Sequence, residues 1–159
     1  MIRILFLLFL CLNIYNCGFK PMYKSDGVGI EFDTLSINFK GDTDYEIKEE
    51  LKNLLNTKQD NQDYLVTVEV KKELVPVIIN ENGTVSKYQI DIALFFEVTD
   101  KFGEMLIDDV AVGFAQYDVL VSEIENKDLR KQMLRSATND AASLMITKIQ
   151  SKLSLTNDN

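Results

Sequence analysis

The chain has 159 residues, with 17 Lys and Arg against 25 Asp and Glu and a formal net charge of −8. A chain of this length is expected to form one domain whose core needs no metal or disulfide support. The acidic surface repels polyanions on average, so we expect no nucleic-acid partner.

The N-terminus has the layout of a secretory signal. Arg3 supplies one positive charge, and residues 4–12 form an unbroken apolar run. This run is shorter than the roughly 20 apolar residues that span a bilayer, whereas a charged start followed by a short apolar stretch is typical of a signal peptide. We therefore predict a signal peptide over residues 1–16. The alternative is an uncleaved short membrane anchor.

Cys17 follows this segment directly, in the string Ile-Tyr-Asn-Cys-Gly of residues 14–18. The string resembles a bacterial lipobox, in which cleavage precedes a cysteine that carries diacylglycerol on its sulfur. Tyr15 and Asn16 depart from the small residues usual before that cysteine, but Cys11, the other cysteine, sits inside the apolar run. We predict lipid attachment at Cys17, since a thiolate is the nucleophile that takes the lipid.

Residues 17–23, Cys-Gly-Phe-Lys-Pro-Met-Tyr, are the most specific string in the chain. They resemble the start of lipopolysaccharide-assembly lipoproteins of the LptE family, notably the alphaproteobacterial type, with Met22 where leucine is usual. The order of the predicted elements extends the resemblance over nearly the whole mature chain, although only these seven residues match closely. The alternative is a signal peptide in front of an unrelated periplasmic domain.

The resemblance implies a lipid-anchored protein on the periplasmic side of the outer membrane, because Gly18 and Phe19 follow Cys17 instead of the aspartate that retains lipoproteins in the inner membrane. It also implies a partner, the LptD β-barrel, which the domain helps to fold and plugs, and a role in delivering lipopolysaccharide to the outer leaflet. The main alternative is an auxiliary outer-membrane lipoprotein of another lipid-transport or barrel-assembly system.

We place a lipidated tether at residues 17–28 and the folded domain at residues 29–155. Apolar residues alternate over residues 30–39, with a phase slip at Asp33-Thr34 that predicts a bulge in the first strand. Thr43 and Glu46 have the spacing of a capping box and predict the start of a helix. The apolar stripe of this helix consists of Ile47, Leu51, Leu54 and Leu55.

A predicted hairpin follows. Alternation over residues 64–70 predicts a half-buried strand, which the apolar run 74–79 extends. Pro76 indicates an edge position or a bulge within this run. Asn82-Gly83 is a strong turn signal, and the alternation resumes over residues 88–98.

The fourth strand is predicted to direct its large apolar residues toward the core. Ile107 belongs to this side, and after a phase slip at Asp108-Asp109 so do Val110, Val112 and Phe114. The other face of the sheet would then be polar and low in profile, either as an ordinary solvent-exposed face or as a docking platform for another protein's wall. Its predicted members are Thr67, Glu69, Asp91, Ala93, Phe95, Asp109, Ala111, Gly113 and Ala115.

Ser122 and Glu125 form a second capping-box pair, ahead of a long helix that we predict to end near Leu153. Residues 156–159 are predicted to be a disordered tail. The apolar face of the helix contains Leu134, Ala137, Ala141, Leu144, Met145 and Ile149. The order β-α-β-β-β-α predicts an α+β fold in which two helices cover one face of a four-stranded, mostly antiparallel sheet.

The usual catalytic groups are missing from the sequence. It contains no histidine, which excludes a Ser-His-Asp triad and an imidazole metal ligand. Once lipidated, Cys17 would be a thioether and no nucleophile. Asp108 and Asp109 are neighbours in a strand and point to opposite faces, so they do not clamp one metal ion. We expect no enzymatic activity and no cofactor other than the covalent lipid on Cys17.

Basic side chains are the remaining chemical lead. Lys127, Lys131 and Arg135 recur every four residues along the last helix, while Lys87 and Lys101 lie near strand ends. Lysine binds phosphate by charge, and arginine also by paired donors. These five residues are candidate lipopolysaccharide contacts. The alternative for each of them is a solvated surface residue, on the helix in intrahelical ion pairs.

Overall fold

Two helices lie on one face of a four-stranded sheet, which confirms the predicted α+β fold and its element order. The computed structural model describes residues 35–55 and 63–157. The predictions for residues 1–34, among them the signal peptide, the tether, the lipid on Cys17 and the bulge at Asp33-Thr34, lie outside the described residues, as do residues 158–159 of the tail. The elements are β1 (Leu35–Lys40), α1 (Tyr45–Leu55), β2 (Tyr64–Ile79), β3 (Val85–Asp100), β4 (Met105–Asp118) and α2 (Glu123–Asn157).

The strands follow one another across the sheet in the order β1-β2-β3-β4. β1 and β2 are parallel, from Leu35 opposite Tyr64 to Lys40 opposite Glu69. A parallel pair needs a crossover connection, and α1 lies in that connection. The β2–β3 and β3–β4 pairs are antiparallel, so the sheet is mostly antiparallel, as predicted.

β2 and β3 form a long hairpin of 16 residues a strand. The turn closes at residues 80–84, where Gly83 has a φ of 82° and the Asn80 amide donates to the Thr84 carbonyl at 2.8 Å. Pro76 lies at a register shift, on the part of β2 that extends beyond its pairing with β1. It therefore occupies both an edge and an irregular position, as a residue without an amide donor requires.

The core lies between the sheet and the helices, on what we call the closed face of the sheet; the opposite side is the open face. Val66 and Val68 of β2 and Ile92 and Leu94 of β3 are fully buried there, as their alternation predicted. The helices contribute Ile47, Leu51, Leu55, Ala137, Ala141, Ala142, Met145, Ile149 and Leu153. Leu54 and Leu144, which we predicted for the apolar stripes, are 39% and 40% exposed at the margins of the core.

The prediction for β4 is confirmed at Ile107, which is buried, but it is wrong for Val110, Val112 and Phe114, because this part of the strand presents its small residues to the core. Its register with β3 runs without interruption from Asp118 opposite Lys87 to Ile107 opposite Val98, so no phase slip occurs at Asp108-Asp109. The residues on the closed face are Ile107, Asp109, Ala111, Gly113, Ala115 and Tyr117, and those on the open face are Asp108, Val110, Val112, Phe114 and Gln116.

The close approach of α2 explains this orientation. A Cβ atom built on Gly113 would lie 2.2 Å from the Ala137 carbonyl oxygen and 2.4 Å from the Ala141 amide nitrogen. Both contacts are to helix backbone, which cannot rotate away as a flexible side chain would. Ala137 and Ala141 are themselves fully buried. A valine or phenylalanine on this side of β4 would hold the helix off the sheet.

Asp109 is tolerated on the closed face because two lysines of α2 reach it. Lys148 Nζ lies 2.9 Å from one carboxylate oxygen, and Lys152 Nζ lies 3.2 Å from the other. Lys148 also donates to the Val110 carbonyl at 2.8 Å. The hydrogen bond from Lys148, joined by that from the Val110 amide, holds the pKa of Asp109 well below its usual range. The cluster fixes the C-terminal half of α2 to β4.

The helix starts confirm one predicted cap and correct the other. The Asn126 amide donates to the Ser122 carbonyl at 3.0 Å and the Glu125 amide to Ser122 Oγ at 3.4 Å, so Ser122 caps α2 as predicted. At α1 the first helical bond runs from the Lys48 amide to the Asp44 carbonyl. Asp44, rather than Thr43, therefore occupies the N-cap position.

The Thr43 side chain is buried, and its Oγ1 has no hydrogen-bond partner among the described residues. Thr43 therefore packs in the interior and does not form the predicted capping box. At the other end of the domain, α2 continues to Asn157, so residues 156 and 157, which we predicted for the tail, are helical.

Candidate functional site

A groove of about 640 Å³ opens at the hairpin end of the molecule, between the N-terminal turns of α2 and the sheet. Tyr88 of β3 and Tyr117 of β4 line its floor. Val119 and Ile124 supply aliphatic walls. The remaining lining residues are polar or charged and come from the first two turns of the helix: Glu123, Asn126, Lys127 and Arg130.

The connection between β4 and α2 is fixed by hydrogen bonds, which gives the groove a defined wall. The Asn126 side chain accepts from the Leu120 amide and donates to the Leu120 carbonyl, each at 2.6 Å. The Val119 amide donates to the Ser86 carbonyl at 2.9 Å, which ties the segment to β3. The short connection therefore holds Val119 and Ile124 against the groove with little backbone freedom.

The two tyrosines form a stacked pair, with ring centroids 5.9 Å apart and an interplanar angle of 28°. Their distance and tilt are those of a favourable aromatic contact. Burial raises the pKa of the Tyr117 hydroxyl, against the opposing positive charge of Arg130. Tyr117 is therefore a neutral hydroxyl at physiological pH. The floor of the groove is therefore formed by two stacked aromatic side chains.

Lys127 and Arg130 give the groove its positive charge. Within residues 35–55 and 63–157, neither has a carboxylate within ion-pair distance, although Glu123 also lines the groove. A guanidinium and an ammonium beside an apolar wall suit an amphiphilic ligand that carries both an anionic group and an acyl chain.

The predicted lipopolysaccharide contacts divide between the two ends of the sheet. Lys127 lines the groove, and Lys87 lies at the same end, where it pairs with Asp118 at 3.3 Å. Lys131 is one turn further along α2 and pairs with Glu46 of α1 at 2.9 Å. Arg135 follows on the next turn, outside the groove lining.

Lys101 does not belong to this group. It lies in the β3–β4 turn, at the opposite end of the sheet, where its Nζ is 3.9 Å from Asp63. Conversely, the sequence interpretation missed Arg130 and both tyrosines. Tyr88 was placed correctly on the apolar side of its strand. Tyr117 was not recognised because the predicted orientation of β4 was inverted.

No cluster of three or more Cys, Asp or Glu in residues 35–55 and 63–157 is arranged to hold a metal ion. Over the same residues, no helix combines the length and hydrophobicity that crossing a bilayer requires.

The fold is that of bacterial lipoproteins of known structure. A putative lipoprotein of Caulobacter crescentus superposes with a TM-score of 0.63 at 13% identity, over 77% of this chain and 92% of the other. The rare lipoprotein B of Shewanella oneidensis gives 0.59 at 13%, over 79% and 98%. An uncharacterized lipoprotein B of Nitrosomonas europaea gives 0.55 at 14%, over 81% and 86%.

The TM-scores establish a shared fold, and at identities this low the function has to be argued separately. The neighbours come from different bacteria at nearly equal identity, so they do not single out the alphaproteobacterial type that residues 17–23 resemble. No protein-family model matches the sequence, and no curated protein matches it significantly.

Proposed function

We propose that the chain is an outer-membrane lipoprotein, anchored by lipid on Cys17, that assists assembly and plugging of an LptD-like β-barrel and delivery of lipopolysaccharide to the outer leaflet. Its role is binding and assembly rather than catalysis. The alphaproteobacterial type of LptE remains the subtype that residues 17–23 favour.

The observation that carries the proposal is the agreement of two separate parts of the chain. Residues 17–23 resemble the start of LptE lipoproteins, while residues 35–55 and 63–157, which exclude that string, share the fold of lipoprotein B from two bacteria. A lipid anchor and a rigid α+β domain are both needed for a subunit that is tethered to a membrane while it occupies a barrel.

The groove supports the lipopolysaccharide part of the proposal. Lipopolysaccharide combines phosphate groups with acyl chains, and the groove combines Lys127 and Arg130 with the aliphatic and aromatic lining of Tyr88, Val119 and Ile124. We place the phosphate contact at the two cations and the acyl contact along the apolar lining. Lys87 lies outside the groove lining, on the opposite side of β3 from Tyr88, and pairs with Asp118, so we do not place it in this contact.

Depletion of the protein tests the assembly role. We expect loss of the mature, heat-modifiable form of the LptD-like barrel and a fall in lipopolysaccharide at the cell surface, both restored by the wild-type gene. Cys17→Ala should yield a folded domain that fractionates away from the outer membrane and restores neither. Normal barrel maturation in depleted cells, or maturation failure of a different barrel alone, would contradict the proposal.

The lipid-binding role is tested by charge reversal in the groove. Lys127→Glu combined with Arg130→Glu should lower the lipopolysaccharide retained by the purified full chain by about tenfold, since two phosphate contacts become repulsive. Lys40→Glu combined with Lys52→Glu, two exposed positions outside the groove lining, makes the same change of net charge and is the matched control. Equal retention by the groove variant and the control would place the lipopolysaccharide contact elsewhere.

A further inference from the structure

The open face of the sheet carries a continuous apolar strip across two strands. Phe95 of β3 lies opposite Val110 of β4, and Ala93 lies opposite Val112, which is followed on the same face by Phe114. Phe95, Val112 and Phe114 are 41%, 52% and 59% exposed. We call these five residues the open-face strip.

The strip is not needed for the packing of the domain. The core side of the same strand is occupied by Ala111, Gly113 and Ala115, against which α2 packs. β-Branched and aromatic residues favour strands in general, and single exposed apolar residues are common. Five neighbouring apolar residues on two paired strands form a contiguous patch, however, and such patches mark interaction surfaces.

Acidic residues surround the strip. Glu69 and Glu73 of β2 flank it on one side, Asp91 and Glu97 of β3 lie above and below it, and Asp108 follows on β4. The open face also carries three lysines: Lys40 and Lys71 lie next to these residues, and Lys87 lies at the hairpin end, where it pairs with Asp118. Lys71 is held over the strip itself, with its Nζ 4.5 Å from the centroid of the Phe95 ring. The rim is therefore net negative.

This charge pattern decides among the possible occupants. Two copies of the chain packed by their open faces would bring two acidic rims together. An anionic bilayer surface or the phosphates of lipopolysaccharide would meet the same repulsion. The complementary occupant is a protein surface with an apolar centre surrounded by lysine and arginine side chains.

We propose that the open face, through the strip and its acidic rim, docks onto a partner protein whose contacting surface is apolar at its centre and basic at its edge. The two surfaces then bind different ligands: the cationic groove binds the anionic lipid, and the acidic open face binds the partner protein. That the partner is the wall of an LptD-like barrel rests on the proposed function.

Charge reversal on the rim tests the docking surface in the full lipidated chain, co-expressed with the LptD-like barrel of the same bacterium. Glu97→Lys combined with Asp108→Lys should reduce the co-purified barrel at least about tenfold, because attraction across the interface becomes repulsion. Glu125→Lys with Asp128→Lys, on exposed turns of α2, makes the same change of net charge and should leave recovery near that of the wild type. Equal recovery with both pairs would overturn the inference.

A photo-crosslinking residue at position 112 identifies what lies on the strip. We expect crosslinks to barrel peptides that contain or adjoin Lys or Arg, and reversal of those basic residues to Glu should restore recovery of the Glu97→Lys, Asp108→Lys variant. Crosslinks to a second copy of the chain or to lipopolysaccharide would overturn the inference.

The two proposals fail in different ways. If the wild-type lipoprotein recovers no LptD-like barrel, the proposed function is wrong. The docking surface would still be supported if position 112 crosslinks to basic, apolar peptides of another identified envelope protein. In that case reversal of those basic residues should restore recovery of that protein by the Glu97→Lys, Asp108→Lys variant. If the wild type recovers the barrel, but rim substitutions do not lower that recovery and position 112 does not crosslink to the barrel, only the inference about the docking surface is wrong.

Discussion

The two faces of β4 use the same strand in opposite ways. On the closed face, Ala111, Gly113 and Ala115 are small enough for the backbone of α2 to lie directly on the sheet. On the open face, the side chains of Val112 and Phe114 are more than half exposed to solvent. The strand thus places its small residues where contact is closest and its large ones where the domain itself requires no contact.

This difference separates apolar residues that the fold requires from apolar residues that it does not require. Burial of large side chains usually dominates a core, but at β4 a close helix approach replaces it, with dispersion contacts between backbone and small side chains. The large residues on the other side then contribute little to folding. Variants on the two faces should therefore differ sharply in stability and in partner binding.

The largest effect is expected at Gly113. Gly113→Val places side-chain atoms against the Ala137 carbonyl and the Ala141 amide, where even a Cβ atom lies within 2.4 Å of both. Because helix backbone must move, we expect a loss of about 4 kcal/mol or more in the free energy of unfolding. Urea denaturation of the purified protein measures it. Val112→Ala, one residue away on the open face, should change stability by less than about 1 kcal/mol. Comparable losses in the two variants would contradict the contrast.

Asp109→Asn should have the next largest effect. The substitution leaves Lys148 and Lys152 without their carboxylate at a site where Asp109 is 24% exposed. We expect a loss of about 2 kcal/mol at neutral pH, between the values for exposed and buried ion pairs. Denaturation at pH 7 checks the value, with Asp108→Asn on the exposed face as the control.

The Asp109 carboxylate should also make the stability of the folded protein depend on pH. The pKa of Asp109 is lowered in the folded protein, so its contribution is complete above the unfolded value of about 3.9 and is lost as the pH falls below it. The difference in melting temperature between the wild type and Asp109→Asn should be constant from pH 7 to pH 5 and should shrink toward pH 3. A difference in melting temperature that grows as the pH falls would mean that folding raises the pKa of Asp109, which would contradict the prediction.

The smallest effect is expected at the start of α1. Thr43→Val replaces a buried hydroxyl that has no partner among the described residues, so we expect a gain of up to about 1 kcal/mol. Asp44→Ala removes the N-cap side chain and its ion pair with Lys72, and should lose about 1 kcal/mol. Thermal denaturation of both variants separates these roles. A loss at Thr43 equal to that at Asp44 would restore Thr43 as the cap.

Most of the fold could be predicted because β2 and β3 each carry one apolar set at period two. On the other side of these strands, charged residues such as Glu69, Asp91 and Glu97 outweigh the few apolar ones, among them Ala93 and Phe95, so the choice of the core side is clear. β4 offers two such sets, one of Val and Phe and one of Ala and Gly. Size favours the first for the core, and only the position of α2 selects the second.

The ambiguity about which face of β4 meets the core also explains why part of the groove could not be predicted. Tyr117 lies on the same face of β4 as Ala111, Gly113 and Ala115, so the inverted prediction separates it from Tyr88, its stacking partner. The helical spacing of Lys127, Lys131 and Arg135 was visible in the sequence, but the spacing does not reveal that Lys131 pairs with Glu46 or that Arg130 lines the groove. Those contacts depend on how α2 crosses the sheet.

One pair of measurements on a single variant tests the central contrast most directly. Val112→Thr combined with Phe114→Thr should melt within about 2 °C of the wild type, because both positions lie outside the core and threonine favours strands, yet should lose most of the co-purified LptD-like barrel because the apolar contact is removed. Val121→Thr, at a fully exposed position beside α2, should retain both properties. A double variant that melts like the wild type and still recovers the barrel at the wild-type level would contradict the account.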